Sequence, residues 1–330
     1  MSARARPGPR NLITDVLGLR VGQAHDSTVR SGVTVILADK AATCACDVRG
    51  GGPGTRDTDA LALENLVEAA DAVVFSGGSV HGLAAADGVT AWLAEQGRGF
   101  RFDHLGANVP TAPITPSAIL FDLANGGDKA WGDEPPYRRL GRAAAAAAQE
   151  DFLLGSTGAG FGAMAGGLKG GIGSASIVTT DGFTIGALAA VNSFGSVVAG
   201  DGETYWAAPF EIEAEFGGRG CAGLATAADD WGLAKAPASS LRENTTLACI
   251  GLDAAVSKAE ARRIAIMAQD GLARAIRPAH APFDGDVVFV LATGAKPLIE
   301  PRALAVTRLG AHAADVLARA IARGVYAARS

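Results

Sequence analysis

An Asp-Gly-Asp triplet, Asp284-Gly285-Asp286, stands just before one apolar run, and the pair Asn244-Thr245 stands just before another. Two aspartates one residue apart on an extended chain point in the same general direction, so together they can orient a nucleophile and hold a cation. The same triplet also suits a turn that opens a strand, because Asp and Gly favour turns. Spacing alone leaves both readings standing. Thr245 has two readings as well. Threonine is ordinary at the start of a strand, and as a nucleophile it is weak until a base takes its proton. If the chain were cut before Thr245, the new α-amine, with an ordinary pKa near ~8, would be such a base. Asn244-Thr245 is the only Asn-Thr dipeptide in the sequence.

Further candidates lie upstream. Lys169 is the one charged side chain in GSTGAGFGAMAGGLKGGIG (155–173), a segment with nine glycines. It reads as a solvated loop lysine or as a positioned cation. Within that segment, residues 158–163 loosely match a dinucleotide-binding fingerprint. That motif needs a helix straight after it, and Gly166, Gly167, Gly170 and Gly171 would break one. A phosphate-binding P-loop fails too, since Leu168 follows Gly167 where lysine should stand. Ser76-Gly77-Gly78-Ser79 leads from an apolar run into a helical pattern and suits either an anion site or a plain strand-to-helix turn. The five histidines are scattered and form neither a zinc-protease motif nor a nucleophile elbow. His312 reads as structural, and His280, just before Asp284, reads as a neighbour of a site. Cys44 and Cys46 are too close for a CxxC pair, and no His or Cys lies nearby at zinc spacing. The expectation is four buried free thiols, Cys44, Cys46, Cys221 and Cys249, with no metal and no cofactor.

The elements that must position these residues follow from apolar periodicity. Strands are predicted at 33–38, 119–123, 174–180, 183–191, 245–252 and 287–292, with an Asp181-Gly182 hairpin turn and Asn192 at a strand tip. Helices are predicted at 59–70, from the turn at 76–79 to 95, at 138–150, from the Ser257/Glu260 capping box to 276, and at 301–323. Residues 106–137 and 198–243 read as long loop and surface segments. This pattern implies α/β layers. Net charge is −5 and 48% of the 330 residues are hydrophobic, which supports a sizeable core and argues against nucleic acid as a partner. No apolar run is long enough for a membrane span or a secretory signal, so a cytoplasmic location is expected.

NTTLACIGLDA (244–254), GLARAIRPAHAPFDGDVVFVLATG (271–294), AGGLKGGIG (165–173) and ILFDLANGGDKAWGD (119–133) resemble, in order, the P1 family of self-processing peptidases and amidases. Its members include the L-aminopeptidase/D-amidase/esterase, the β-aminopeptidases and the 6-aminohexanoate (nylon) oligomer hydrolases. The resemblance spans about 11–323. It implies an αββα sandwich like that of N-terminal-nucleophile hydrolases, the aminopeptidase/ornithine acetyltransferase-like fold, in one catalytic domain over 1–330. It also implies cleavage between Asn244 and Thr245 into associated chains 1–244 and 245–330, with Thr245 as nucleophile on small peptides or amides. On the same basis Asp284 and Asp286 position Thr245 and its amine, Lys169 hydrogen-bonds in the site, and Asn192 stabilises the oxyanion. Phe121 stands in the pocket region where some relatives have tyrosine, so no hydroxyl acts there. Paired aspartates match the nylon-oligomer branch, and an acyl-enzyme could also pass its acyl group to an amine. A homo-oligomer, tetrameric or larger, is implied. Readings from other classes are a nucleotide-binding oxidoreductase, resting on 158–163, and a non-catalytic, unprocessed scaffold.

Overall fold

Strands covered on both faces need apolar residues at nearly every position, and this chain supplies several. The structure is a computed structural model that describes residues 5–106, 109–222, 224, 230–235 and 244–329. In chain order the elements are β1 (Leu19–Asp26), β2 (Ser31–Val48), β3 (Thr55–Arg56), β4 (Ala69–Ser76), α1 (Ala85–Glu95), β5 (Ser117–Ile119) and α2 (Tyr137–Ala146). They continue with β6 (Met164–Ala165), β7 (Leu168–Lys169), β8 (Gly171–Val178), β9 (Thr184–Asn192), β10 (Thr245–Ala255), α3 (Lys258–Ala275), β11 (Val287–Pro297) and α4 (Arg302–Arg329). Nine strands share one sheet in the order β3-β5-β4-β2-β11-β10-β9-β8, with β1 paired on β2, while β6 and β7 form a separate hairpin.

Alternation along the strands sorts the side chains into three cores. On β10, Ala248, Ile250 and Leu252 face a core shared with Ile264, Leu272, Leu317 and Ile321 of α3 and α4. Leu247 and Cys249 face the other way, into a core with Phe289, Phe75, Ile36 and Leu188. There the rings of Phe75 and Phe289, from β4 and β11, lie 6.1 Å apart. A third core joins Val33 and Val35 of β2 and Val74 of β4 to Val89 of α1 and Leu140 of α2. Helices, sheet, sheet and helices therefore stack in that order, the αββα arrangement expected. β2 serves both halves. Its 18 residues run through a break in register between Leu37 and Ala42, where three exposed residues interrupt its burial. The capping box forms as predicted, with Ser257 Oγ accepting from Glu260 N and the Glu260 carboxylate accepting from Ser257 N at 2.8 Å. Gly271 lets α3 close on α4, since a Cβ there would come within 2.5 Å of the Ala314 carbonyl oxygen.

Some expectations are corrected. Residues 59–70 are not a helix: a single turn at Asp59–Leu61 is followed by irregular chain and then β4. Leu63 and Leu66, which carried the helical spacing, are 54% and 94% exposed, so no packed face supports a helix. β1 went unpredicted because its sequence, LRVGQAHD, mixes charged and apolar residues. The strand expected at 119–123 lies at Ser117–Ile119. The turn at Gly158–Gly160 leads into the two-residue strand β6, so the oxidoreductase reading lacks its helix. Of 198–243, the stretches 223, 225–229 and 236–243 lie outside the described residues; within the rest, Tyr205, Ala207 and Phe216 are buried, so this is not purely a surface segment. Cys44, Cys46 and Cys249 are free and buried as expected, but Cys221 is free and exposed, because it lies on an irregular segment outside the cores. Among the described residues no helix is long and apolar enough to cross a membrane.

Candidate active site

β10 and β11 are parallel neighbours, with Leu247 opposite Val287. Parallel pairing places their N-terminal ends side by side, and both ends carry the polar residues singled out by sequence. Asn244 bridges to Asp284 just before the two strands begin. On its other side β10 is antiparallel to β9, which sets Thr245 opposite Asn192. Thr245, Asn244, Asp284, Asp286 and Asn192 are thereby brought together, and all five are buried.

The backbone at Asn244-Thr245 is closely held. The Asn244 carbonyl oxygen accepts the Gly285 N–H at 2.9 Å. The same oxygen accepts a hydrogen bond from Thr245 Oγ1. Gly285 is needed for that approach, because a Cβ at this position would sit 2.5 Å from Thr245 Oγ1 and 3.1 Å from the Gly52 carbonyl oxygen. Sequence reading treated Gly285 only as a spacer between aspartates.

The two aspartates have different surroundings. Asp286 Oδ1 accepts the Thr246 N–H at 2.7 Å, which fixes the residue after the candidate nucleophile. Its Oδ2 meets His280 Nδ1 at 2.8 Å and the His280 N–H at 3.2 Å. His280 is thus a neighbour of the site, at the positive φ of 57°. Asp284 Oδ2 accepts the Ala281 N–H at 2.8 Å, while Oδ1 has no hydrogen-bond partner among the described residues. Burial, and then the charge of Asp286, push the Asp284 carboxyl up to about 6. Asp286 therefore meets three nitrogens, while Asp284 is destabilised in its charged form.

Asn192 is held by the chain around it. Its Oδ1 accepts the Met164 N–H at 2.9 Å and its Nδ2 donates to the Phe121 carbonyl at 3.0 Å. Phe121 and Asn192 line a small cavity of about 100 Å³ together with Asp122, Asn125, Met164 and Lys235. Larger cavities of about 430 and 720 Å³ lie beside the start of α4 and between α1 and α2, and none of the residues above lines either. Lys169 pairs in the β6-β7 hairpin with Met164, whose N–H reaches Asn192, but the Lys169 side chain is exposed and has no hydrogen-bond or ion-pair partner among the described residues. Lys235 instead reaches the cleavage pair, with Nζ 2.8 Å from Asn244 Oδ1. No motif marked Lys235 in the sequence. Among the described residues no group of three His, Cys, Asp or Glu side chains is arranged to hold a metal ion.

The family model for peptidase family S58 matches residues 11–330. The chain belongs to this family. S58 members are the P1 family to which the sequence motifs pointed, and the protein is accordingly a hydrolase of amide or peptide bonds. An uncharacterized aminopeptidase of Mycobacterium tuberculosis (strain ATCC 25618 / H37Rv) is 44% identical over 341 aligned positions, covering 97% of this chain and 94% of the relative. A 6-aminohexanoate-oligomer endohydrolase of Kocuria sp. (strain KY2) is 27% identical, covering 87% of this chain and 76% of that one. Among solved structures, a Burkholderia sp. β-aminopeptidase superposes with a TM-score of 0.69 at 22% identity, over 98% of this chain and 88% of the other. The L-aminopeptidase D-Ala-esterase/amidase of Ochrobactrum anthropi, described as a variant of the Ntn hydrolase fold, gives a TM-score of 0.68 at 21% identity, with the same coverage. These two likenesses show that the S58 protein shares the Ntn-type fold.

Proposed function

We propose that the protein is a self-processing amide hydrolase of the aminopeptidase or amidase type, in which Thr245 first cuts its own peptide bond and then small peptide or amide substrates. The observation that carries this reading is the placement of Thr245 Oγ1 against the Asn244 carbonyl, whose oxygen is already held by the Gly285 N–H. In the first reaction Thr245 Oγ1 attacks that carbonyl carbon and loses its proton to a nearby base. Asp284, beside the bond with its carboxyl near pKa 6, is assigned that role. Negative charge gathers on the Asn244 oxygen, where the Gly285 N–H stabilises it; a preorganised donor of this kind is worth about 3 kcal/mol of barrier. The C–N bond breaks, the leaving nitrogen takes a proton, and an ester joins Asn244 to Thr245 Oγ1. Water then hydrolyses the ester, giving a carboxylate on Asn244 and a free α-amine on Thr245.

In the mature enzyme that amine takes the proton as Thr245 Oγ1 attacks a substrate amide, with Asn192 as the donor toward the oxyanion. The acyl-enzyme then passes to water. Asp286 keeps the start of β10 in register through Thr246. Chains 1–244 and 245–330 stay together, because β10 hydrogen-bonds to β9 of the larger chain along its length. Assembly into a homo-oligomer belongs to the same reading. A second substrate reading, 6-aminohexanoate oligomers, rests on the relative named for that activity and on the paired aspartates.

Denaturing electrophoresis with N-terminal sequencing tests the first step. Two fragments are expected, the smaller beginning TTLACIGLDA. A wild-type chain that stays whole on long incubation sinks the mechanism. A panel of aminoacyl, β-aminoacyl and aminohexanoyl amides then separates the substrate readings.

A further inference from the structure

Lys235 and Asn244 are nine positions apart in sequence, yet the ammonium of one lies 2.8 Å from the side-chain oxygen of the other. The contact closes a circuit. The Lys235 N–H donates to the Phe194 carbonyl at 3.0 Å, two residues past the end of β9. The Phe194 ring packs on Phe283, with centroids 4.7 Å apart. Phe283 precedes Asp284, which bridges to Asn244. Each link but one is a backbone or apolar contact fixed by the fold. The Lys235–Asn244 link is the charged one, and charged donors make the stronger hydrogen bonds.

Among the described residues Asn244 is anchored at its carbonyl and at its side chain. Its carbonyl is held by Gly285 N–H, as needed for attack by Thr245, and its side chain is held by Lys235. Losing the side-chain anchor loosens Asn244 and lets its carbonyl carbon shift off the line of Thr245 Oγ1. Misplacement on the scale of an ångström costs a reaction of this kind about 100-fold. From this geometry we infer that Lys235 is a positioning residue for self-cleavage, acting through the Asn244 side chain rather than on the reacting atoms. The inference rests on the self-processing reading and adds to it a residue that no sequence motif marks.

The test follows processing with time for wild type, Lys235→Met, Lys235→Arg, Asn244→Ala and the Lys235→Met/Asn244→Ala double variant. Circular dichroism and thermal melting check that each is folded. Lys235→Met and Asn244→Ala should each slow cleavage roughly 10- to 100-fold, as expected for loss of a hydrogen bond to a charged group. The double variant should be no slower than the worse single variant, because both remove one contact. Lys235→Arg should stay within about threefold of wild type. Cleavage of Lys235→Met at the wild-type rate overturns the inference, and so does a double variant whose loss is the product of the single losses. If Lys235→Met does not fold, Lys235→Gln takes its place in the cycle. Thr245→Ala, run beside these, keeps the two claims apart. If wild type cleaves, Thr245→Ala does not and Lys235→Met cleaves normally, the positioning role fails while the nucleophile stands.

Discussion

Two regions of this hydrolase carry a conspicuous charge beside glycine: the N-terminal ends of β10 and β11, with Gly285 between two aspartates, and the nine-glycine tract at 155–173. Their outcomes differ. At the strand ends, Asp284 and Asp286 are each 2% exposed, and Asp286 meets both Thr246 and His280. In the tract, Lys169 is exposed on a two-residue strand and without a partner among the described residues. The difference lies in what each charge is attached to. Residues just outside core strands inherit the register of the core, which Leu247, Val287 and their neighbours fix by burial. A charge on a short surface hairpin inherits no such constraint.

The sharpest way to break this contrast is at Thr245, the proposed nucleophile. Thr245→Ala should leave the chain whole and lower amide hydrolysis by roughly three or more orders of magnitude. Electrophoresis and a substrate assay read both effects, and a Thr245→Ala protein that still hydrolyses amides would remove the strand end from the chemistry. Gly285→Ala comes next. Its Cβ would fall 2.5 Å from Thr245 Oγ1, so the hydroxyl or the Gly285 N–H must move off the Asn244 carbonyl. Processing should slow at least about 100-fold, as for loss of an oxyanion donor. Processing within threefold of wild type would mean that this N–H does not act.

Asp284→Asn should have a smaller effect, and one that depends on pH. The Asp284 carboxyl, at about 6, titrates above its unfolded value because burial and Asp286 oppose its charge. The folded state therefore favours the protonated form. That contribution to stability is fully present below about pH 4 and is lost as pH rises through about 6. At pH 8 the asparagine variant should be more stable than wild type by about 2–3 kcal/mol, with the gap closing toward pH 4. Melting curves at the two pH values measure this. Wild-type processing should rise across pH 6, and the variant should be slower and flat there. A rise across pH 6 that survives in the variant assigns the base elsewhere.

The sequence made the strand ends legible because an abrupt change from polar to apolar residues marks where a buried strand begins. It also showed the capping box of α3, a strictly local device. It did not reveal that β10 and β11 are parallel neighbours, which depends on α3 crossing between them, and so the meeting of Asn244 with Asp284 was not readable from spacing. Lys235 was invisible for a related reason. It acts across the fold, and a lone lysine before a polar stretch has no local signature. The false helix at 59–70 shows the converse failure: Leu63 and Leu66 have helical spacing, but no face of the protein covers them.

Lys169 is where the resemblance and the geometry pull in different directions, and Lys169→Met sharpens the comparison most finely. The resemblance implies a lysine that hydrogen-bonds in the site. In the uncut chain its ammonium is in solvent, and the link from its hairpin to the site runs through backbone, from Met164 N–H to Asn192 Oδ1. Replacing an exposed side chain leaves that link intact, and exposed charges contribute little to stability. The melting temperature and the processing rate should therefore stay close to wild type, the rate within about threefold. Amide hydrolysis by the cut enzyme is the discriminating measurement. If it too is unchanged, the hairpin serves only as a brace for Asn192. If it falls 100-fold while processing is untouched, Lys169 reaches the site only after Thr245 is freed. The strand ends and the glycine tract would then act in the two reactions in turn.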